Sequence, residues 1–228
     1  MSTYVLVPGF WLGGWAWDAV ADELRGAGHD VLQVTLTGLA ERASELSAEV
    51  DVDTHIADVL AAVGDRRDVI LVGHSGATMP VTGAADRIPG QLARVVYVDT
   101  APLPDGWAQR DFLEPEERAE QEKSVGGGFA IPVPDAFDGV EEVHRLRATP
   151  QPWGAARRPL ARPRPDIAVP KTMICTTIPL PAVRQMIASG LPAFSALAGD
   201  EWTFQELPSS HWPMFTAPKA LASLLLDA

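Results

Sequence analysis

Short, mostly apolar runs rich in β-branched and aliphatic residues alternate along this chain with longer stretches in which apolar residues return every three or four positions. The short runs read as strands of a buried sheet, and they fall at 4–7, 31–34, 69–72, 95–98, 172–175 and 203–207. After the first of them, the stretch 17–25 puts Val20 and Leu24 on one helical face and stops at Gly26 and Gly28. A second helix is expected to start at Asp53 or Thr54, both good N-caps, and to run through Ile56, Val59, Leu60 and Val63 to Gly64. The last helix is expected over 218–226, with Pro218 in its first turn. This alternation predicts an α/β chain, with a mostly parallel central sheet flanked by helices on both faces.

The rhythm breaks between 102 and 165. That stretch holds an acidic helical patch over 114–122, the run Gly126-Gly127-Gly128, which reads as a flexible hinge, and a proline- and arginine-rich tail over 150–165. An insertion of this length between two strands must be disordered or pack over an edge of the sheet. Phe129, Phe137, Val143, Leu146 and Trp153 offer apolar surface for packing. A small helical lid over 102–165 is therefore expected, inserted into a core made of 1–101 and 166–228.

Composition narrows the class without altering this picture. With 228 residues, 46% of them hydrophobic and 21% charged, the chain suits one globular domain with a small insertion. Its formal net charge of -12 repels phosphates over most of the surface and argues against nucleic acid as a partner. The one cysteine, Cys175, has no partner for an internal disulfide and sits in an apolar run, as an inert core thiol would. No apolar run approaches the roughly 18 residues of a membrane span, and Met1-Ser2-Thr3-Tyr4 lacks the basic and apolar character of a leader, so a cytoplasmic protein without a membrane partner is expected. The histidines His29, His55, His74, His144 and His211 show no i, i+4 pairing and no cysteine partner at ligand spacing, and no Gly-x-Gly-x-x-Gly run follows a strand. Neither a metal nor a cofactor is expected.

The sharpest chemical signal is Val69-Ile70-Leu71-Val72-Gly73-His74-Ser75-Gly76-Ala77, a buried strand that runs into a tight turn and then a helix. A serine in such a turn stands exposed at the sheet edge and needs small neighbours, which Gly73 supplies and Ala77 nearly does. The Gly76 amide, at a helix N-terminus, points to where a carbonyl oxygen would become negative. Serine needs a base from elsewhere, because His74 points away from its side of the turn. His211 is the candidate: it follows the final strand in Ser209-Ser210-His211-Trp212-Pro213, on the same sheet edge as Ser75.

Three segments carry a resemblance that covers nearly the whole chain outside the lid. They are Val5-Leu6-Val7-Pro8-Gly9-Phe10-Trp11-Leu12-Gly13-Gly14-Trp15-Ala16-Trp17, the serine turn, and Ser210-His211-Trp212-Pro213-Met214. Together they resemble α/β-hydrolases of the plant-esterase and hydroxynitrile-lyase-like branch. The resemblance implies that the first segment supplies a second oxyanion amide, which maps onto Phe10. It also implies a carboxylate after the penultimate strand, yet 167–199 contains no Asp or Glu. Asp99, at the end of the strand next to the serine strand, is a relocated acid of the kind related hydrolases use, with Asp105, Asp200 or no acid as competitors. Phe10, Trp11, Trp153, Trp212 and Met214 are bulky and apolar, and the last four are expected to bind substrate.

The expected function is that of a serine carboxylesterase acting on a small apolar or aromatic ester through Ser75, His211 and Asp99. Lyases of the same branch use a threonine and a lysine where this chain has Gly9 and Trp212, which ranks a cofactor-free lyase or carbon-carbon bond hydrolase second. A non-catalytic receptor for a small ligand is the third reading, because fold does not fix function. The expected partner is a small apolar molecule; a homodimer stays open.

Overall fold

The computed structural model describes every residue except Leu191. Its strands are β1 (Thr3–Val7), β2 (Asp30–Gln33), β3 (Val69–His74), β4 (Leu92–Val98), β5 (Ala130–Ile131), β6 (Gln151–Pro152), β7 (Lys171–Cys175) and β8 (Trp202–Glu206). Its α-helices are α1 (Asp18–Gly26), α2 (Val52–Val63), α3 (Thr78–Arg87), α4 (Pro115–Val125), α5 (Glu142–Arg145), α6 (Trp153–Arg157), α7 (Leu180–Ala188), α8 (Pro213–Thr216) and α9 (Pro218–Asp227). Six strands form one sheet in the order β2-β1-β3-β4-β7-β8, and each neighbouring pair is parallel. The expected α/β architecture is thus the observed one; five of the six expected strands are found within two residues of their bounds, and the fourth, expected from 95, starts three residues earlier at Leu92.

Both faces of the sheet are buried, and the alternation of side chains divides the core in two. Val5, Val7, Val69, Leu71, Val95 and Tyr97 face α2 and α3, whereas Tyr4, Leu6, Ile70, Val72, Val96 and Val98 face α1 and α9. β3 is buried at all six positions, so its end is rigid where it releases the chain into the next turn. Among the described residues no helix is long and apolar enough to cross a membrane.

α2 begins earlier than its sequence suggests. Asp51 is the N-cap, its carboxylate accepting the N–H groups of Asp53 and Thr54 at 2.9 and 3.1 Å. Thr54, expected as a cap itself, completes a capping box by receiving the Asp51 N–H on its hydroxyl. The run at 126–128 also reads differently in place. Gly126, at φ +59°, closes α4 as a left-handed cap, its N–H meeting the Lys123 carbonyl at 3.1 Å.

Within 102–165, α4 is mostly polar and fully buries no residue, only Val125 at its end packing on the cluster of Ile131, Trp153 and Ala156, while β5 and β6 pair antiparallel and contact α6. Phe137 and Trp153 are buried, as packing required, but Phe129, Val143 and Leu146 are 45%, 57% and 69% exposed. The single-turn helix α5 is too short to present an apolar face, which leaves Val143 and the adjoining Leu146 in solvent. The returning end of the insertion is tied down by Arg162, whose guanidinium grips the Asp86 carboxylate of α3 with two bonds of 2.9 and 3.0 Å. Both side chains are buried, at 5% and 0% exposure.

Removing one partner of a buried pair strands the other without compensation. Asp86→Ala is therefore expected to cost about 3–5 kcal/mol of unfolding free energy, measured by urea denaturation. A change below about 1 kcal/mol would show that Arg162 reaches water instead.

Candidate active site

The catalytic candidates gather where the order of the sheet reverses. The chain leaves β1 for β2 on one side and returns through β3 to build the other side, so the loops after β1 and β3 diverge and open a crevice at the C-terminal edge. One loop carries Gly9 and Phe10, the other Ser75 and Gly76.

Ser75 opens a short 3-10 turn, Ser75–Ala77, that leads into α3. It sits at φ +50°, in the left-handed region, as do Trp11 at +67° and Asp99 at +49°. Glycines make room for this geometry. A Cβ on Gly73 would lie 2.8 Å from Val81, one on Gly9 would lie 3.0 Å from the Ser75 Cβ, and one on Gly76 would overlap the Phe10 ring. The two loops are thereby pressed together. Gly76 N–H lies in the first turn of its helix, where no acceptor precedes it, and among the described residues Phe10 N–H meets no acceptor. Two free amides on adjoining loops beside a serine are what a developing oxyanion needs.

The candidate base and acid come from the ends of two different strands of that half-sheet, β8 and β4. His211, in the loop after β8, places Nε2 2.8 Å from Ser75 Oγ and Nδ1 2.7 Å from Asp99 Oδ2. A carboxylate only accepts, so Nδ1–H donates to Asp99 and the bare Nε2 accepts the serine hydroxyl. Asp99 also receives the N–H groups of Thr176 and Thr177 at 3.0 Å each and the Thr177 hydroxyl at 2.7 Å. Burial alone would raise its pKa, but the hydrogen bonds from His211, Thr177 and Thr176 outweigh it and hold the carboxyl well below the usual range. Of the other acids considered, Asp105 receives the Arg162 N–H at 2.8 Å and Asp200 lies exposed; neither pairs with His211.

Above Ser75 and His211 opens a cavity of about 330 Å³. Its walls are Leu103, Phe112, Leu113, Met173, Ile178 and Phe194, with Thr78, Thr100 and Gln109 as the polar side chains away from the catalytic candidates. Among the described residues, no lysine or arginine lines it. The four residues expected to bind substrate are elsewhere. Met214 is 1% exposed in the core beside α9, and Trp153 packs on Ile131 and Ala156 beneath Arg110. Trp212 stacks on Phe137 at 4.7 Å, and Trp11 sits edge-on to Phe10 at 5.8 Å. Each packs on neighbours outside the cavity lining, and the aromatic residues that line the cavity are Phe112 and Phe194, whose rings are 6.4 Å apart. A sequence signal for Phe112-Leu113 exists, two apolar residues stranded beside an acidic helix; none marks Phe194.

Among the described residues no cluster of three or more His, Cys, Asp or Glu side chains is placed to hold a metal ion. His74 is 1% exposed, and burial, then the neighbouring charge of His211, lowers its pKa from 6.5 to about 3.

A profile of the alpha/beta hydrolase family matches residues 4–224. The chain is 31% identical over 248 aligned residues to a carbendazim hydrolyzing esterase of Nocardioides sp. (strain SG-4G), covering 99% of this chain and 98% of that one. It is 26% identical over 262 aligned residues to methylesterase 9 of Arabidopsis thaliana, covering 99% and 97%. Among solved structures, an extracellular alpha/beta-hydrolase from a Paenibacillus species superposes with a TM-score of 0.84 at 24% identity, over 100% of this chain and 99% of that one.

The shifts of His74 and Asp99 have one sign. Both groups take up protons in the unfolded chain at a pH where the native state still refuses them: the His74 contribution is complete above about pH 6.5 and shrinks as pH falls toward 3, whereas the Asp99 contribution is lost only as pH falls below 3.8. Urea midpoints are expected to fall from pH 7 to pH 4.5, more shallowly in His74→Gln, which lacks the buried imidazole. An identical slope in the two proteins would mean that His74 titrates normally.

Proposed function

We propose that this chain, which belongs to the alpha/beta hydrolase family, is a serine carboxylesterase for small, neutral, apolar or aromatic esters. The observation that carries this reading is the unbroken hydrogen-bonded path from Asp99 through His211 to Ser75, opening on an apolar cavity. The names of its relatives, a carbendazim hydrolyzing esterase and a methylesterase, support ester chemistry.

In this mechanism His211 Nε2 takes the Ser75 proton as Oγ attacks the ester carbonyl. The amides of Phe10 and Gly76 bind the oxygen as it becomes negative. His211 then protonates the leaving alcohol, and the bond from the carbonyl carbon to the alcohol oxygen breaks, leaving an acyl group on Ser75. Water, deprotonated by the same imidazole, attacks that acyl group, and the carboxylic acid departs with Ser75 restored. Asp99 keeps the proton of His211 on Nδ1 throughout and stabilises the imidazolium. A purely binding protein would need neither the aligned hydroxyl and imidazole nor the paired amides.

Ser75→Ala should abolish hydrolysis of p-nitrophenyl butyrate, and Asp99→Asn should lower kcat by about 10⁴-fold, as the analogous change does in serine proteases. A fluorophosphonate should label Ser75 in the wild type. Undiminished activity in Asp99→Asn would remove the carboxylate from the mechanism, and a wild type inert to both reagents would end the esterase reading.

The walls make a second expectation. With no cation to meet it, a carboxylate on the acyl group would be buried unpaired, so a neutral aryl ester is expected to be turned over about 10²-fold more efficiently (kcat/KM) than its carboxylate-bearing analogue. Equal efficiencies would place the acyl group outside this cavity.

A further inference from the structure

His74 takes no part in these proton transfers, yet it is built into the site more tightly than a spare core residue. It directly precedes Ser75 and is 1% exposed. Its Nε2 lies 2.6 Å from the main-chain carbonyl of His211. A carbonyl only accepts, so Nε2–H is the donor and Nδ1 is bare; among the described residues Nδ1 has no partner. On that side a Cβ on Gly9 would come within 2.9 Å of Nδ1. One imidazole thus belongs to the serine turn through the chain, stands so close to the β1 loop that only glycine fits at position 9, and holds the base's loop by a hydrogen bond.

Asp99 and Ser75 orient the ring of His211 but do not locate its backbone. The loop is tied at its start by Leu207 N–H to the Cys175 carbonyl at 2.8 Å, and just past the base Trp212 N–H reaches only Ser210 Oγ, within the same loop, at 3.2 Å. The bond from His74 acts at the base residue itself, and its donor ring is 1% exposed. The rings of His74 and His211 are 4.9 Å apart, so a neutral His74 leaves room for an imidazolium beside it.

We infer that His74 is a positioning residue: by holding the His211 carbonyl it sets the distance at which the base meets the Ser75 hydroxyl. The inference rests on His211 being the base of the proposed esterase. Glutamine carries an amide nitrogen to about the place of Nε2, whereas asparagine is one bond too short, so His74→Gln and His74→Asn separate the hydrogen bond from the filling of space.

With p-nitrophenyl butyrate, His74→Asn is expected to lose about 10–100-fold in kcat with KM changed less than about twofold, and His74→Gln to recover most of the loss. Wild-type kcat in His74→Asn, equal losses in the two variants, or a loss confined to KM would each overturn the inference. The low-field proton resonance of His211 Nδ1–H gives a second reading in the resting protein. It is expected to be sharp in the wild type and in His74→Gln and broadened by exchange in His74→Asn; an equally sharp signal in His74→Asn would overturn it. Because that signal needs no turnover, it judges His74 even where the wild type hydrolyses no ester, a result that would sink the esterase reading alone.

Discussion

The hydrogen bond between the Asp99 carboxylate and His211 Nδ1 sets the chemistry of the crevice, because it decides which nitrogen faces Ser75. A carboxylate with a 5% exposed side chain is tolerable only when its lone pairs are met. Here Thr176, Thr177 and His211 meet them, and in doing so the end of β4 is bound to the loop after β7 and to the loop after β8. The same bonds that keep Asp99 ionised therefore hold three strand ends in one arrangement. The packing of these strand ends and the orientation of the His211 ring thus share the same contacts.

Parallel topology explains why the site forms where it does. Every strand of the main sheet delivers its C-terminal end to one edge, so residues far apart in sequence arrive together without any special long-range design. The reversal between β1 and β3 supplies the opening, glycines at 9 and 76 let the two loops close on each other, and Gly73 lets Val81 of α3 pack close against β3. Leu103, Phe112 and Leu113 line the crevice, and the Arg162–Asp86 pair ties the end of the same stretch to α3.

How much of this can be read from residues alone depends on how local each determinant is. The turn at Ser75 is legible because strand, glycine, serine and helix are contiguous, and His211 because its place after the last strand assigns it to an edge. Asp99 emerges partly by elimination, from an acid-free stretch at 167–199, and the threonines that bind it carry no sequence mark. The cavity wall is the least legible part. Trp11, Trp153, Trp212 and Met214 show size and hydrophobicity but not direction, and direction is settled by partners such as Phe137 beneath Trp212. Likewise nothing in the proline- and arginine-rich tail distinguishes Arg162 from its neighbours; only its burial against Asp86 does.

Trp11, Ser75 and Asp99 adopt backbone angles that side-chain-bearing residues avoid, at a cost of order 1–3 kcal/mol each. All three lie in the loops that form the crevice. Ala40 and Asp68 share such angles outside the crevice, but it is within the crevice that relaxation, by glycine at 75 or 99, would trade turnover for thermal endurance. Efforts to harden this scaffold have room elsewhere, on surfaces such as the polar helix α4, where conformation and catalysis do not compete.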